Sequence, residues 1–216
     1  MLSAVIPALN AADGLAGCLA SLGADVERVV VDGGSTDATR AVAEAAGARV
    51  VEAPRGRGVQ LARGAEAAAG DWLLFLHADT RLSPGWREAA EAHMRRRPDE
   101  AACFRFRLDD DAWQARLIEA GVALRVRLLR LPYGDQGLLV PRSLYEAAGG
   151  YRPMPLMEDV DLVRRLGRVR VLDAAAVTSA ARWRRDGWWR RSGRNLLCLT
   201  LYRSGMSADR VARLYD

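Results

Sequence analysis

Gly70-Asp71-Trp72-Leu73-Leu74-Phe75-Leu76-His77-Ala78-Asp79-Thr80 is the stretch around which the rest of the chain is organised. Trp72 to Leu76 is an unbroken apolar run, the length of one strand buried on both faces. Gly70-Asp71 punctuates its start. At its carboxyl end stand His77 and Asp79, two residues apart. In an open α/β sheet, ligands bind outside the carboxyl ends of the strands. An imidazole and a carboxylate placed there can face one point, which suits a divalent cation, and a hard cation suits a diphosphate. On these residues alone the plainer alternative stays open: Asp79 caps a helix and His77 makes an ordinary hydrogen bond.

Working back from this stretch, Leu2 to Ile6 reads as a strand ended by Pro7, followed by the turn Ala8-Leu9-Asn10. Leu15, Cys18, Leu19 and Leu22 recur at helical spacing within Ala11–Leu22. Val26 to Val31 is a second strand. It stops at Asp32-Gly33-Gly34-Ser35-Thr36-Asp37, where Ser35 or Thr36 is expected to cap a helix over Ala38–Ala46 closed by Gly47. Arg49–Glu52 is a third strand, and Pro54-Arg55-Gly56-Arg57-Gly58 leads into a helix from Val59 to Ala69. The order β-α-β-α-β-α-β calls for a parallel sheet with helices on its faces. No G-x-G-x-x-G follows the first strand, which excludes the dinucleotide fingerprint.

Beyond Thr80 the alternation loosens. A helix begins at Pro84 and ends near Arg97-Pro98. In Ala101–Leu108, Phe104 and Phe106 alternate with Arg105 and Arg107, as in a half-exposed strand. A long helix over Ala112–Leu131 is followed by the loop Pro132-Tyr133-Gly134-Asp135-Gln136-Gly137. A short strand (Leu138–Val140), a short helix (Ser143–Ala148) and a late strand (Val169–Leu172) complete the pattern, with the acid-rich helix start Met157-Glu158-Asp159-Val160-Asp161 before the last of these. The expected organisation is one α/β domain over 1–216. It divides into residues 1–108, residues 109–180 and, over 181–216, a basic, aromatic, helical tail.

The net charge is +5 and every basic residue other than two histidines is arginine. Without lysine there is no Schiff base and no P-loop lysine. Arginine is the better bidentate partner for phosphate, so an anionic substrate or surface fits. The three scattered cysteines fit a reducing compartment and form no zinc spacing. The amino terminus has no basic region ahead of an apolar one, which argues against a signal peptide, and no apolar run is long enough to span a membrane. The expected location is cytoplasmic, and attachment to the inner face of the membrane stays open.

Three loops carry the polar residues: Asp32–Asp37, Arg55–Gln60 and His77–Thr80. Each follows a parallel strand, so all three are expected on one edge of the sheet. Asp32 can accept hydrogen bonds from a base or ribose, Arg57 can meet a base or a phosphate, and Asp79 can hold a metal on a diphosphate. A capping role for the first loop stays open. Glu158-Asp159 lies at a helix start, where a carboxylate can take a proton from an acceptor hydroxyl or simply complement the helix dipole.

Val5-Ile6-Pro7-Ala8-Leu9-Asn10, Val31-Asp32-Gly33-Gly34-Ser35-Thr36-Asp37, Leu76-His77-Ala78-Asp79-Thr80 and Leu156-Met157-Glu158-Asp159 together resemble family 2 glycosyltransferases of the GT-A fold. Arg57-Gly58-x-Gln60 and Tyr133-Gly134-Asp135-Gln136-Gly137 resemble a small bacterial subgroup of that family. The resemblance runs over roughly residues 2 to 170. It implies a GT-A type nucleotide-diphospho-sugar transferase fold, with a mostly parallel central sheet flanked by helices and a helical tail. It also implies an inverting transfer from a nucleotide sugar, most often a UDP-sugar, to an acceptor hydroxyl, with Mg or Mn.

Carried onto this chain, the resemblance puts Pro7, Ala8, Asn10, Asp32, Gly33, Ser35, Arg57, Gln60, His77 and Ala78 with the donor. Asp79 matches the last acid of the family's D-x-D metal motif, and His77 stands in place of the first, as a possible second ligand for Mn. Asp159 matches the proposed base; Glu158 and Asp135 are further candidates. The alternatives are a nucleotidyltransferase, which ordinarily needs a glycine-rich arginine loop after its first strand and a lysine, and a binding module of the same fold without catalysis.

The tail from Arg182 to Tyr202 interleaves Trp183, Trp188 and Trp189 with arginines, and Leu196, Leu197, Leu199 and Leu201 follow. Two readings stay open: contact with a membrane surface, with a lipid-linked acceptor, or packing of the leucines on the domain. Nothing else in the chain points to nucleic acid.

Overall fold

The computed structural model describes residues 1–215. Its strands are β1 (Leu2–Ala8), β2 (Glu27–Asp32), β3 (Arg49–Glu52), β4 (Trp72–Phe75), β5 (Thr80–Leu82), β6 (Ala101–Leu108), β7 (Leu138–Pro141) and β8 (Val169–Thr178). The helices are α1 (Ala12–Leu22), α2 (Thr39–Ala45), α3 (Arg57–Ala67), α4 (Trp86–Arg96), α5 (Trp113–Leu129), α6 (Arg142–Ala147), α7 (Glu158–Leu166), α8 (Ala181–Asp186), α9 (Trp188–Arg203) and α10 (Ala208–Tyr215), with one 3-10 turn at Gly134–Gln136.

All strands join one sheet in the order β3-β2-β1-β4-β7-β6-β8-β5. Every residue of β4 is buried, as its apolar run requires, between β1 running parallel and β7 running antiparallel. The other half is mixed: β6 is antiparallel to β7 and parallel to β8, and β5 is antiparallel to β8. These directions decide where the site lies. The carboxyl ends of β1, β2, β3, β4, β6 and β8 all reach one edge, and β5 and β7 begin there.

Two apolar layers sandwich the sheet. Leu15, Cys18, Leu19 and Leu22 of α1 pack with Ile6, Val30, Leu74 and Phe104 on one face. On the other, Leu61 and Ala65 of α3 and Leu162 of α7 pack with Val5, Val31, Leu73 and Phe75. Pro7 does not end β1, which continues to Ala8. The Ala8 carbonyl accepts from Gly33 on the β2 side, whereas the Val5 carbonyl accepts from Leu76 on the β4 side. The donor that Pro7 lacks would therefore point toward β4, where β4 has already finished.

Three further expectations need correction. Neither Ser35 nor Thr36 caps α2. The Ser35 hydroxyl accepts from the Asn10 N–H, and Asp37 accepts from the Thr39 N–H at the helix start. The late strand does not stop at Leu172 but runs to Thr178, and its second half pairs with β5, an element the sequence pattern did not reveal. The tail is not one helix. It breaks at Gly187 (φ 85°) into α8 and α9, and α10 follows. Trp183 packs at 6.1 Å on Phe106 and Leu199 is buried beside Val160 and Val163, so these two side chains face the core.

Candidate active site

The edge defined by the strand ends holds a cleft of about 760 Å³, its mouth included, and Arg57, His77, Asp79, Asp135, Glu158 and Asp159 all line it. Six side chains from four separate stretches of sequence thus meet: Arg57, His77 and Asp79 come after parallel strands, Asp135 precedes β7, Glu158 and Asp159 open α7, and the Asp32–Asp37 loop is not in the lining. The tail contributes Arg182, Trp183, Arg191 and Asn195, with Tyr215 from α10.

The two acids of the helix start are set by Met157, a non-glycine residue in the left-handed region (φ 65°). That conformation is costly and persists where packing enforces it, and Met157 is buried. Asp159 accepts from the Gly134 N–H through Oδ2 and from the Val160 N–H through Oδ1, each at 2.7 Å. The first bond ties the start of α7 to the Tyr133–Gly137 loop. Gly134 is required there: a Cβ on it would lie 2.7 Å from Nε2 of His77 and 3.5 Å from Oδ2 of Asp159. Gly58 has a similar role, since a Cβ on it would overlap the Arg152 carbonyl. The start of α3, with Arg57, therefore lies directly against the segment that leads to Glu158.

Glu158 is buried, and its Oε1 has no hydrogen-bond partner; Arg57 Nε lies 3.7 Å away. Burial, reinforced by the adjacent Asp159 charge, raises its pKa to about 7. Asp135 has an orphaned buried Oδ1 as well, and burial, with Asp159 and Asp79 adding to it and Arg125 opposing, raises it to about 6. For Arg57, burial works against the charge, but Glu158, Asp159 and Asp79 outweigh it and raise its pKa. Burial, then Arg57 and Arg182, push His77 well below its ordinary value, so its imidazole is neutral and free to act as a ligand.

These groups offer donors to the divalent cation that the fold family implies. Asp79 offers a hard oxygen, His77 a neutral nitrogen, and the orphaned Asp135 oxygen a site with no protein partner. Among the described residues no three acids, histidines or cysteines form a closed metal cage. The donor set therefore fits a cation held by one or two side chains, with the remaining ligands coming from substrate oxygens and water, as is common for Mg²⁺ on phosphates.

Of the other expected donor residues, Pro7, Ala8, Asn10, Asp32, Gly33 and Ser35 lie at the ends of β1 and β2, Gln60 in α3 and Ala78 after β4, all outside the cleft lining. Asp32 is fully buried and faces its own loop, accepting from the Ser35 N–H at 3.1 Å and from Arg40 Nε at 2.7 Å. Burial alone would raise its pKa, but these bonds from Ser35 and Arg40 hold it low. Gln60 is buried and donates to the Ala8 and Val31 carbonyls, tying the two strand ends together. Asn10 accepts from the Thr36 N–H and so joins the Pro7–Asn10 turn to the Asp32–Asp37 loop. Ala78 is buried beneath the site.

Sequence reasoning missed the contribution of Arg182, Arg191 and Asn195. The signal was the run Asp173-Ala-Ala-Ala-Val-Thr178: read as strand, it carries the following residues to the ligand edge. Alanine's weak strand preference concealed it.

The model for glycosyl transferase family 2 matches residues 3–154. The chain belongs to that family. Among curated proteins it is similar to a PGL/p-HBAD biosynthesis glycosyltransferase of Mycobacterium bovis, 41% identical over 93 residues, which take in 38% of this chain and 36% of that protein. The match therefore spans little more than a third of the curated relative. Among solved structures, S. aureus TarS (1–349) superposes with a TM-score of 0.66 at 14% identity, over 99% of this chain and 69% of that one. Glucosyl-3-phosphoglycerate synthase from Mycobacterium tuberculosis, in complex with Mn²⁺, UDP and glucosyl-3-phosphoglycerate, superposes with a TM-score of 0.60 at 22% identity, over 95% of this chain and 80% of that one. These likenesses establish the GT-A fold.

Proposed function

We propose that this protein is an inverting glycosyltransferase that moves a sugar from a nucleotide diphosphate, a UDP-sugar in the first instance, to an acceptor hydroxyl. The carrying observation is the convergence of Asp79, Asp135, Glu158 and Asp159 with the cationic Arg57 in one cleft at the strand ends. Structural neighbours crystallised with UDP or UDP-GlcNAc support the choice of donor. A nucleotidyltransferase would lean on a lysine that the chain lacks. Residues 1–108 form the donor half in this reading, and 109–180 the acceptor half.

The Asp32 loop and the Pro7–Asn10 turn hold the nucleoside, with Asp32 fixed by Ser35 and Arg40 so that the loop's shape is preset. Gln60 sustains that platform from beneath. Asp79, with His77, would hold Mg²⁺ or Mn²⁺, which supplies charge neutralisation of the diphosphate. Arg57 stabilises the same growing negative charge on the leaving group. Arg182 has no ion-pair partner among the described residues, and Nε of Arg191 and Nε1 of Trp183 are buried donors without acceptors. They give the tail side of the cleft an excess of donors opposite the acids.

Asp159 acts as the base. Its two backbone hydrogen bonds orient the carboxylate and leave further lone pairs for an acceptor O–H. As the proton passes to Asp159, the acceptor oxygen bonds to the anomeric carbon from the face opposite the diphosphate, whose bond to that carbon breaks. One displacement inverts the configuration. Glu158 and Asp135 orient the acceptor.

Calorimetry with UDP, first without metal, then with Mn²⁺ and then with EDTA, tests the donor site. Tightening by Mn²⁺ that EDTA reverses, absent in Asp79→Asn, supports the assignment. Affinity indifferent to EDTA removes the metal role from Asp79, and absence of UDP binding under every condition overturns the donor. Incubation with UDP-sugars and detection of slow UDP release separates a catalyst from a binding module.

A further inference from the structure

A second surface lies outside the cleft. Helix α5 buries Ala115 and packs Ile118 and Val122 beside Phe106, yet its opposite side is apolar too. Trp113 (61% exposed), Leu117, Leu124 and Leu128 (68% exposed) fall within about 60° of one another on an ideal helix. Helix α9 carries a matching stripe in Trp189 (57% exposed), Leu196 and Leu197. The rings of Trp113 and Trp189 meet at 5.8 Å, so the two stripes form one continuous patch. An exposed apolar patch of this extent ordinarily marks an interaction site.

Charge selects the occupant. Residues 112–131 and 181–206 contain eleven arginines against Glu119 and Asp186, a net +9, whereas the rest of the chain sums to −4 within a total of +5. Several of these arginines are consumed internally, such as Arg184 with Asp110 and Arg116 with Glu119. Arg127, Arg130, Arg190 and Arg203 are exposed and form no ion pair among the described residues. They sit on the same two helices, Arg127 next to Leu128 and Arg190 next to Trp189. A second copy docked by a twofold axis would place this cationic rim against its own image. An anionic bilayer complements it: tryptophan rings suit the headgroup layer, leucines the acyl boundary, and arginines the surface potential.

We propose that the exposed faces of α5 and α9 form a docking surface for anionic phospholipid membrane. This differs from a tail-only anchor, since Trp183 and Leu199 face the core and α5 supplies half of the surface. Arg191 and Asn195, which α9 supplies to the cleft, lie on the side of that helix opposite Trp189, Leu196 and Leu197, so the docking face and the cleft are separate. The proposal stands on the surface alone and does not depend on the donor or the base.

The test is flotation of the full chain with vesicles of phosphatidylcholine alone or mixed with phosphatidylglycerol, alongside Leu124→Glu/Leu128→Glu. Both leucines are exposed, so the variant is expected to fold, and unchanged melting and UDP calorimetry would verify this. The expected result is flotation with the mixed vesicles only, weakened by salt, and a partition coefficient roughly tenfold or more lower in the variant. If the protein stays at the bottom with both vesicles, or the variant floats as well as the parent, the proposal is overturned. A dimer by light scattering that the double variant dissociates, with no flotation, assigns the face to a second copy instead.

Discussion

Glu158→Gln isolates the electrostatics of the cleft, because the side chain keeps its shape and loses only its charge. In the native protein the carboxyl is buried and raised from 4.5 to about 7. The sign follows directly. Between these values the folded state binds more protons than the unfolded one, so stability is full below about pH 4.5 and falls as pH rises through about 7. A shift of this size corresponds to about 3 kcal/mol between the two limits.

The variant lacks this group, so its stability relative to the native chain should improve by about 3 kcal/mol between pH 4.5 and pH 8. The absolute offset also depends on Arg57, which loses its partner. For a chain of this size that change amounts to roughly 6–12 °C in Tm. Urea denaturation of both proteins at half-unit pH steps measures it, and the subtraction removes titrating groups remote from Glu158. Parallel stability curves across the range would refute the argument, because they would show that Glu158 ionises in the fold as easily as in the unfolded chain.

Asp159→Asn is expected to lower kcat by roughly 10²–10⁴ with UDP affinity nearly unchanged, since a base acts in the transition state and not on the nucleotide. Near-normal turnover would move the role to Asp135, and Asp135→Asn in the same assay would show it. Gly134→Ala drives a methyl against His77 and toward Asp159. It should weaken Mn²⁺-dependent UDP binding by calorimetry while Tm changes little. Gly64→Ala places a Cβ 2.3 Å from Cγ1 of Val5 and 2.7 Å from Cγ2 of Val31. It should cost about 1–3 kcal/mol or more by urea denaturation, with the site chemistry intact if the protein folds.

The sequence by itself determined whatever rests on a local period or on turn chemistry. Val29 to Val31 and Leu73 to Phe75 read as buried strands because apolar runs bounded by Gly and Asp have few other uses, and both are buried in the sheet. Leu15, Cys18, Leu19 and Leu22 announced the buried face of α1 by their spacing. The Phe104–Arg107 alternation described the second half of β6, whereas Ala101 to Cys103 are buried on both faces. Of the three loops expected at the ligand edge, two bring Arg57, His77 and Asp79 to the cleft, where Asp135, Glu158 and Asp159 join them, while the Asp32–Asp37 loop lies outside its lining.

Only the tertiary structure decided the rest. Ala174 to Val177 has little strand preference of its own; pairing with β6 on one side and β5 on the other makes it a strand, and both partners lie far away in sequence. That extension carries Arg182 into the cleft. Asp32 and Asp135 are the same residue type beside glycines, yet Asp32 is saturated with donors and held low, while Asp135 keeps an orphaned oxygen and is raised to about 6. Burial and the identity of the neighbouring charges separate them, and both are properties of packing between distant segments. The tail's tryptophans divide in the same way: Trp183 meets Phe106 in the core, whereas Trp189 meets Trp113 at the surface, because Gly187 turns the chain between them.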